Sequence, residues 1–349
     1  TLVVVAHMNN LPGIQSVYIS RSTALQAIRY DPVSWCFVEL ERADGSTRVL
    51  EESAPGAYSA SFGDDFLRTG ENYRLTLVTP EGKCYESGFE KMLPAQKIHS
   101  VYHTIEERFA PDPTDTEEGI RFFIDFEIDK ESGRYLLWQL TETYEIHNPE
   151  YPVKMYDVDR RMKDVPDSVI RRKCWITREI SEIFTKDLGN VEGSVYREMP
   201  LNFVSSKTRK LQERYSLLVQ QYTLTSSAFW YWNELGKNLQ SKGNLFDTQP
   251  SLTPSNICNI DDESEQVIGY FSISGVSETR IFIDNVPGLR IYQDPDLCAP
   301  GVYPMFLHRY PRDKLPIYLA TSTSTGLVDK KCVDCREYKG STDIKPDFW

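Results

Sequence analysis

Short apolar runs that alternate with polar residues fill the first 95 positions. Leu2–Met8, Ser16–Arg21, Cys36–Arg42, Thr47–Glu51, Ala57–Ser61, Asn72–Thr79 and Lys83–Phe89 are rich in β-branched and aromatic residues, with turn formers between them. Tyr73, Leu75 and Leu77 alternate with Arg74 and Thr76, the period of a strand with one face in a core. Asp44-Gly45 and Pro80-Glu81-Gly82 each lie between two such runs and predict hairpins, because these residues tolerate the turn dihedrals that close antiparallel strands. The spacing predicts an independent β-sandwich of immunoglobulin-like size over residues 1–95.

Pro94 and the polar residues after it mark a boundary, so residues 96–349 are expected to form a second, larger β-rich domain and the whole chain to be mainly β. Its strand candidates are His99–Arg108, Ile120–Ile128, Arg134–His147, Gly193–Met199, Glu213–Leu224, Gln266–Ser274, Glu278–Asn285 and Leu315–Thr321. The acidic stretch Pro111–Glu118 reads as a surface loop, and Tyr151–Val169 shows no period. One or two packed helices are expected within this domain. One lies near 226–241, with Thr225 or Ser226 as cap, Ala228, Trp232, Leu235 and Leu239 at helical spacing, and Gly243 as stop. The other covers Thr177–Lys186, with Ile180, Ile183 and Phe184 on one face. Phe229, Trp230 and Trp232 spread too widely around the first helix for one sheet to bury them equally, so at least one is expected at the surface as a ligand or partner contact. A lid packed wholly on the sheet is the alternative.

The charge balance, 39 basic against 51 acidic residues and a net charge of -12, argues against a general phosphate-backbone binder and against a polybasic grip on anionic lipid. No apolar run is long enough for a membrane-spanning helix. The chain starts in a strand pattern without Met, which reads as a processed N-terminus with any signal peptide removed. Phosphate-binding glycine motifs, the His-Glu-x-x-His metal motif and the Gly-x-Ser-x-Gly elbow are absent, so no catalytic residue and no cofactor is assigned. Asp125, Glu127, Glu142 and Glu145 are strand carboxylates, candidates for the acid/base pair of a surface hydrolase. His99 and His103, four apart on a strand, would stand about 13 Å from one another, too far to share a metal. The acidic turn Asn259–Glu265 lacks the glycine and ligand order of a calcium loop, and no metal site is assigned.

Cysteines occupy positions 36, 84, 174, 258, 298, 332 and 335. Cys332-Val333-Asp334-Cys335 has the spacing of a redox motif or of half a zinc site, but neither a βαβ frame nor a second such pair accompanies it. Cys332 and Cys335 are therefore expected to bond to distant cysteines drawn from Cys174, Cys258 and Cys298, and Cys36 to bond to Cys84. A bond within the motif, a zinc site and free thiols are the alternatives.

Several spaced motifs occur together: Leu2-Val3-Val4, Pro12-Gly13 before Tyr18–Arg21, Pro32-Val33, Cys174-Trp175, Leu218–Tyr222, Gly243–Pro250, Gly269-Tyr270-Phe271 before Arg280, and the closing Cys332-x-x-Cys335, Gly340 and Pro346–Trp349. In this order they resemble domain-of-unknown-function family 4249 of Bacteroidota. The resemblance implies a lipoprotein of the outer membrane or cell surface, on either face of that membrane, anchored by a lipidated cysteine that would precede Thr1. It implies a TonB-dependent outer-membrane transporter as partner, a role in substrate capture or as an accessory to uptake, and no established catalytic residues. The ligand stays open among small molecules, peptides and glycans, with nucleic acid disfavoured by charge. The expected function is thus non-enzymatic binding. A hydrolase or a structural subunit of an outer-membrane assembly are the alternatives.

Overall fold

The computed structural model describes residues 1–22, 30–63, 65–109, 116–240, 255–291, 298–303, 306–321 and 325–349. The motif Gly243–Pro250, the helix stop at Gly243 and positions 111–115 of the acidic loop lie outside the described residues. The fold is mainly β, and its one α-helix among the described residues, α1, spans Ser226–Gln240. No described helix is long and apolar enough to cross a membrane.

Most of the first strands fall where the alternation places them. Leu2–Asn9, Gly13–Arg21 and Ala57–Phe62 form one layer, and Phe37–Arg42, Asn72–Val78 and Cys84–Ser87 form the other, with Thr47–Ala54 bridging the two. Leu2, Val4, Ala6 and Met8 alternate with outward residues and meet Val38, Leu40, Tyr73, Leu75 and Leu77 in a shared core. This is a two-layer sandwich of the size expected.

Its independence is not met. Leu2–Asn9 pairs in parallel with the first half of a 17-residue strand, Val267–Ile283, from Leu2↔Val267 to Asn9↔Ser274. The second half of that strand pairs antiparallel with Tyr215–Leu224, which in turn pairs with Tyr135–His147. One hydrogen-bonded sheet therefore runs through both halves of the chain. Ile257–Asn259 adds an edge strand beside Cys84–Ser87, and Ile257, Val267, Phe271 and Ile273 fill the same core as Val4 and Leu40. Residues 1–95 leave that core incomplete, so a boundary at Pro94 separates segments of sequence but not units of packing. The two expected strands Gln266–Ser274 and Glu278–Asn285 are one continuous strand. Gly275, between them, is no break: it provides close approach, since a Cβ there would lie 2.3 Å from the Leu93 carbonyl oxygen.

In the second half, Ile98–Phe109, Thr116–Glu127 and Val195–Ser205 form a three-stranded sheet over the extended sheet. Ile120, Phe122, Ile124 and Phe126 pack against Trp138, Leu140, Leu217 and Val219 between the layers. His99 and His103 lie on the first of these strands, as expected. The expected helix over Thr177–Lys186 is instead the end of strand Lys173–Glu179 and the start of strand Phe184–Asp187, both paired with Tyr135–His147. Ile180 and Phe184 pack into the core between the sheets, whereas Ile183 packs under α1, so the helical spacing of the three residues serves two different cores. Val153–Tyr156, Met162–Asp164, Ile317–Thr321 and Thr325–Val328 form a small separate sheet.

Two disulfides tie the C-terminal tail to this frame, Cys174–Cys335 and Cys298–Cys332. Cys332 ends one short turn, Lys330–Cys332, and Cys335 begins another, Cys335–Glu337, each opened by an aspartate side chain, Asp329 or Asp334, that accepts a backbone N–H. The two thiols thus bond to distant partners and not to each other. Cys36, Cys84 and Cys258 are free, which corrects the expected Cys36–Cys84 bond. Phe37, next to Cys36, pairs with Val78, and Val78 pairs with Cys84 on its other side. An intervening strand holds the two cysteines about 10 Å apart, beyond the roughly 7 Å that a disulfide spans.

Candidate functional site

Helix α1 starts where strand Tyr215–Leu224 ends. The Thr225 hydroxyl accepts the Ala228 N–H at 3.3 Å, and the buried Glu90 carboxylate accepts hydrogen bonds from Thr225 (2.7 Å), Ser227 (3.2 Å) and Tyr270 (2.5 Å). An anion at a helix N-terminus meets unpaired N–H groups and the positive end of the helix dipole. A residue of the first 95 thus fastens the helix of the second half.

The three aromatic residues singled out in the sequence take three different positions. Phe229 is 5 % exposed and stacks on Tyr135 with centroids 4.5 Å apart. Trp232 is half-buried, 5.5 Å from the His7 ring, while neighbouring Tyr231 stacks on Tyr270 at 4.8 Å. Trp230 is 54 % exposed and touches its own helix neighbour Phe229 edge-on at 5.5 Å. Its helical neighbours at i+4 and i+7 are Glu234 and Lys237, an ion pair at 2.6 Å, so the exposed indole stands on the polar side of the helix. Packing therefore accounts for Phe229 and Trp232 and leaves Trp230 free.

Under α1, His7 is hydrogen-bonded through Nδ1 to the Ser272 hydroxyl at 2.6 Å, while His7 Nε2 and Trp232 Nε1 are buried without partners. Burial pushes the His7 imidazole down to about 4. Below the ordinary value near 6.5 the unfolded chain takes up the proton and the folded chain does not. Stability is therefore full above about pH 6.5 and falls as pH drops towards 4. His7 as a residue is only partly buried, which reduces the cost, so the expected loss is about 2–3 kcal/mol. Urea unfolding of the wild type and of His7→Phe between pH 7.5 and 4.5 checks this: the variant should lack that part of the slope, and identical slopes would exclude His7 as its source.

The strand carboxylates do not form a pair. Asp125 accepts the Glu198 N–H at 2.8 Å and faces Arg197 at 3.3 Å in the three-stranded sheet, and Glu127 is exposed. Glu142 is 1 % exposed and held by Arg178 (2.5 Å), Lys210 (2.8 Å) and the Tyr215 hydroxyl (3.0 Å). Glu145 meets Lys173 at 2.7 Å, His147 at 2.5 Å and the Trp349 indole N–H at 3.0 Å. Burial alone would raise the Glu145 carboxyl; the hydrogen bond and charge of Lys173, with Trp349 and His147, outweigh it and hold it below its usual range. Glu142 and Glu145 open onto different pockets. Glu145, His147 and Glu213 bring ligand-type atoms within 4.8 Å of one another, the one such metal-type group among the described residues. The Lys173 ammonium already occupies the same Glu145 oxygen, so the group reads as an ion-pair cluster and carries no metal assignment.

Glu145 also lines a pocket of about 430 Å³ at the far end of the sheet from α1. Tyr135, under Phe229, and Glu145 are ten residues apart on one strand, about 33 Å. Trp175 and Trp349 form aromatic walls, and Lys345 of the tail stands beside them. Strand Ser341–Thr342 brings the tail there by pairing with Trp175 and Ile176, close to the Cys174–Cys335 bridge. No signal in the sequence points to this pocket: the tail motif is visible, but neither a period nor a spacing says which strand it returns to.

The family described as domain of unknown function (DUF4249) matches residues 1–280, and the chain belongs to it. The match stops within the long strand Val267–Ile283, so the disulfide-bonded tail, with Lys345 and Trp349, lies beyond it. No curated protein matches the chain.

Proposed function

We propose that the protein acts by binding, as an outer-membrane-associated lipoprotein that captures substrate for, or otherwise assists, a TonB-dependent transporter, with α1 as its contact surface. The observation that carries this reading is Trp230, a large aromatic residue 54 % exposed on a helix that Phe229 and Trp232 already fasten to the sheet. Exposed tryptophans are enriched among the residues that dominate binding energy at interfaces, and this one makes no contribution to the core that would explain its size. The reading is also favoured by the engagement of Glu142 and Glu145 with basic side chains, which suits structural roles better than those of a paired acid and base.

The test is co-purification. Full-length lipidated protein, extracted from its native membrane with a mild detergent, should bring down a TonB-dependent transporter, and the yield should drop sharply for Trp230→Ala. Recovery of a different complex in which no transporter is present, unchanged by the substitution, would contradict the proposal.

A further inference from the structure

The three-stranded sheet ends in a strand with one open side. Ile98–Phe109 pairs with Thr116–Glu127 in an unbroken register from Ser100↔Asp125 to Phe109↔Thr116, and among the described residues no segment forms a backbone hydrogen bond with its other edge. The direction of the bonds follows from the central strand, Thr116–Glu127. Glu127 donates its N–H to the Lys97 carbonyl on the side of the edge strand, and the Glu118 carbonyl accepts from Ser206 on the opposite side. Odd positions of the central strand thus serve the edge strand, and through pairs such as Thr104↔Arg121 the even positions of the edge strand are the ones engaged. Val101, His103, Ile105, Glu107 and Phe109 then turn their N–H and C=O groups to the open side. Ile105 and Ile120 lie opposite one another on the inner face, yet Ile120 is fully buried and Ile105 is 41 % exposed, because Ile120 has a strand on both sides and Ile105 on one. Phe109, at the end of the same row, is 75 % exposed. No proline, lysine or bulge interrupts the edge between Ser100 and Phe109, and Glu106 and Arg108 are paired with Arg121 and Glu117 of the central strand.

We propose that this edge joins a second copy of the chain, the two edge strands pairing antiparallel about a two-fold axis at Ile105. The strand is self-complementary in that register. Ile105 meets Ile105 of the second copy, Val101 meets Phe109 and His103 meets Glu107, all at positions whose main-chain groups face the open side; on the outer face Tyr102 meets Arg108 and Thr104 meets Glu106. Apolar residues face apolar ones, each charge faces a neutral or polar group, and no two like charges are opposed. Moving the axis to Thr104 would set Val101 against Glu107, and moving it to His103 would set Phe109 against Lys97, outside the paired strand. A two-fold contact of this kind is closed, so it stops at the dimer and leaves no further open edge on that side. The inference goes beyond the transporter reading and is independent of it, since α1 has no part in this edge.

Sedimentation velocity of the purified chain at about 1–100 µM tests it, the range of a small, reversible interface. The chain should pass from monomer to dimer over that range. Ile105→Pro removes a donor from the open side alone and should stay monomeric with its melting temperature nearly unchanged, because the bonds to Thr116–Glu127 use the even positions. Ile105→Lys sets two like charges together at the axis and should raise the dissociation constant about tenfold or more, and it decides the test if the proline variant fails to fold. In a Cys258→Ser background, which removes the exposed free thiol, Ile105→Cys should be linked into a dimer by a short bis-maleimide, since hydrogen-bonded antiparallel partners stand about 5.5 Å apart at Cα. The background without Ile105→Cys should stay unlinked. A chain that is monomeric throughout would overturn the proposal and leave the edge to a different protein. A dimer that a folded Ile105→Lys variant preserves, or that Ile105→Cys fails to link, would overturn it as well.

Discussion

Gly269→Ala is expected to lower stability by about 4 kcal/mol or more, placing it among the most damaging single substitutions the chain can suffer. Gly269 sits opposite Val4 in the parallel pairing that joins the two halves, at φ +112. A Cβ built there lies 1.8 Å from the Val4 carbonyl oxygen and 2.8 Å from its carbon. Those are backbone atoms of a buried strand, so nothing flexible can give way, and the dihedral itself is strained for any residue with a side chain. Relief requires Leu2–Asn9 to shift from Val267–Ile283, which opens the core that Val4 and Phe271 share. Gly45→Ala is the control: its φ is +87 but its Cβ meets nothing within 4 Å, so only the turn strain of about 1 kcal/mol applies. Urea midpoints for the two variants measure the difference. Equal midpoints would mean that the parallel join is looser than described.

Replacing Cys174 and Cys335 together with alanine is expected to cost about 4 kcal/mol. The bridge closes a separation of 161 residues, so in the unfolded chain it removes more loop freedom than Cys298–Cys332, which closes 34. The logarithm of that ratio makes the first bridge worth about 1 kcal/mol more than the second. Unfolding curves of the two double variants, run side by side, check both the size and the order. The loss should also free strand Ser341–Thr342 from Trp175, so the Trp349 indole should become open to an aqueous fluorescence quencher before global unfolding. If Trp349 stayed protected, the ladder alone would be holding the tail.

The alternation of residues such as Tyr73, Leu75 and Leu77 made the strands of the first sandwich legible, because a half-buried strand writes its period into its own sequence. What was not legible is partnership. Nothing in Leu2–Asn9 states that its second neighbour lies some 265 positions on, at Val267–Ser274 in the register Leu2↔Val267. Gln266–Ser274 and Glu278–Asn285 read as two strands for the same reason: Gly275, which lies between them, lacks a side chain because Leu93, from a distant segment, approaches it closely. Ile180, Ile183 and Phe184 mimicked a helix because residues serving two cores on opposite sides of a sheet can fall by chance at helical spacing. The cysteines show the boundary well. Their immediate flanks argued that Cys332 and Cys335 would bond elsewhere, whereas placing Cys36 beside Cys84 needed the strand order, in which Asn72–Val78 comes between. Of the site, the sequence showed that three aromatics were too many for one helix face; that Trp230 would be the free one depended on where Tyr135 and His7 lie.

The central claim is that Trp230 is a binding residue and Phe229 a core residue of the same helix. The most direct measurement is a binding isotherm for the co-purified transporter taken beside a thermal melt, for Trp230→Ala and Phe229→Ala. The account predicts that Trp230→Ala weakens binding by about 2 kcal/mol or more with an unchanged melt, whereas Phe229→Ala lowers stability by about 3–5 kcal/mol. Wild-type affinity in a fully folded Trp230→Ala variant would contradict it.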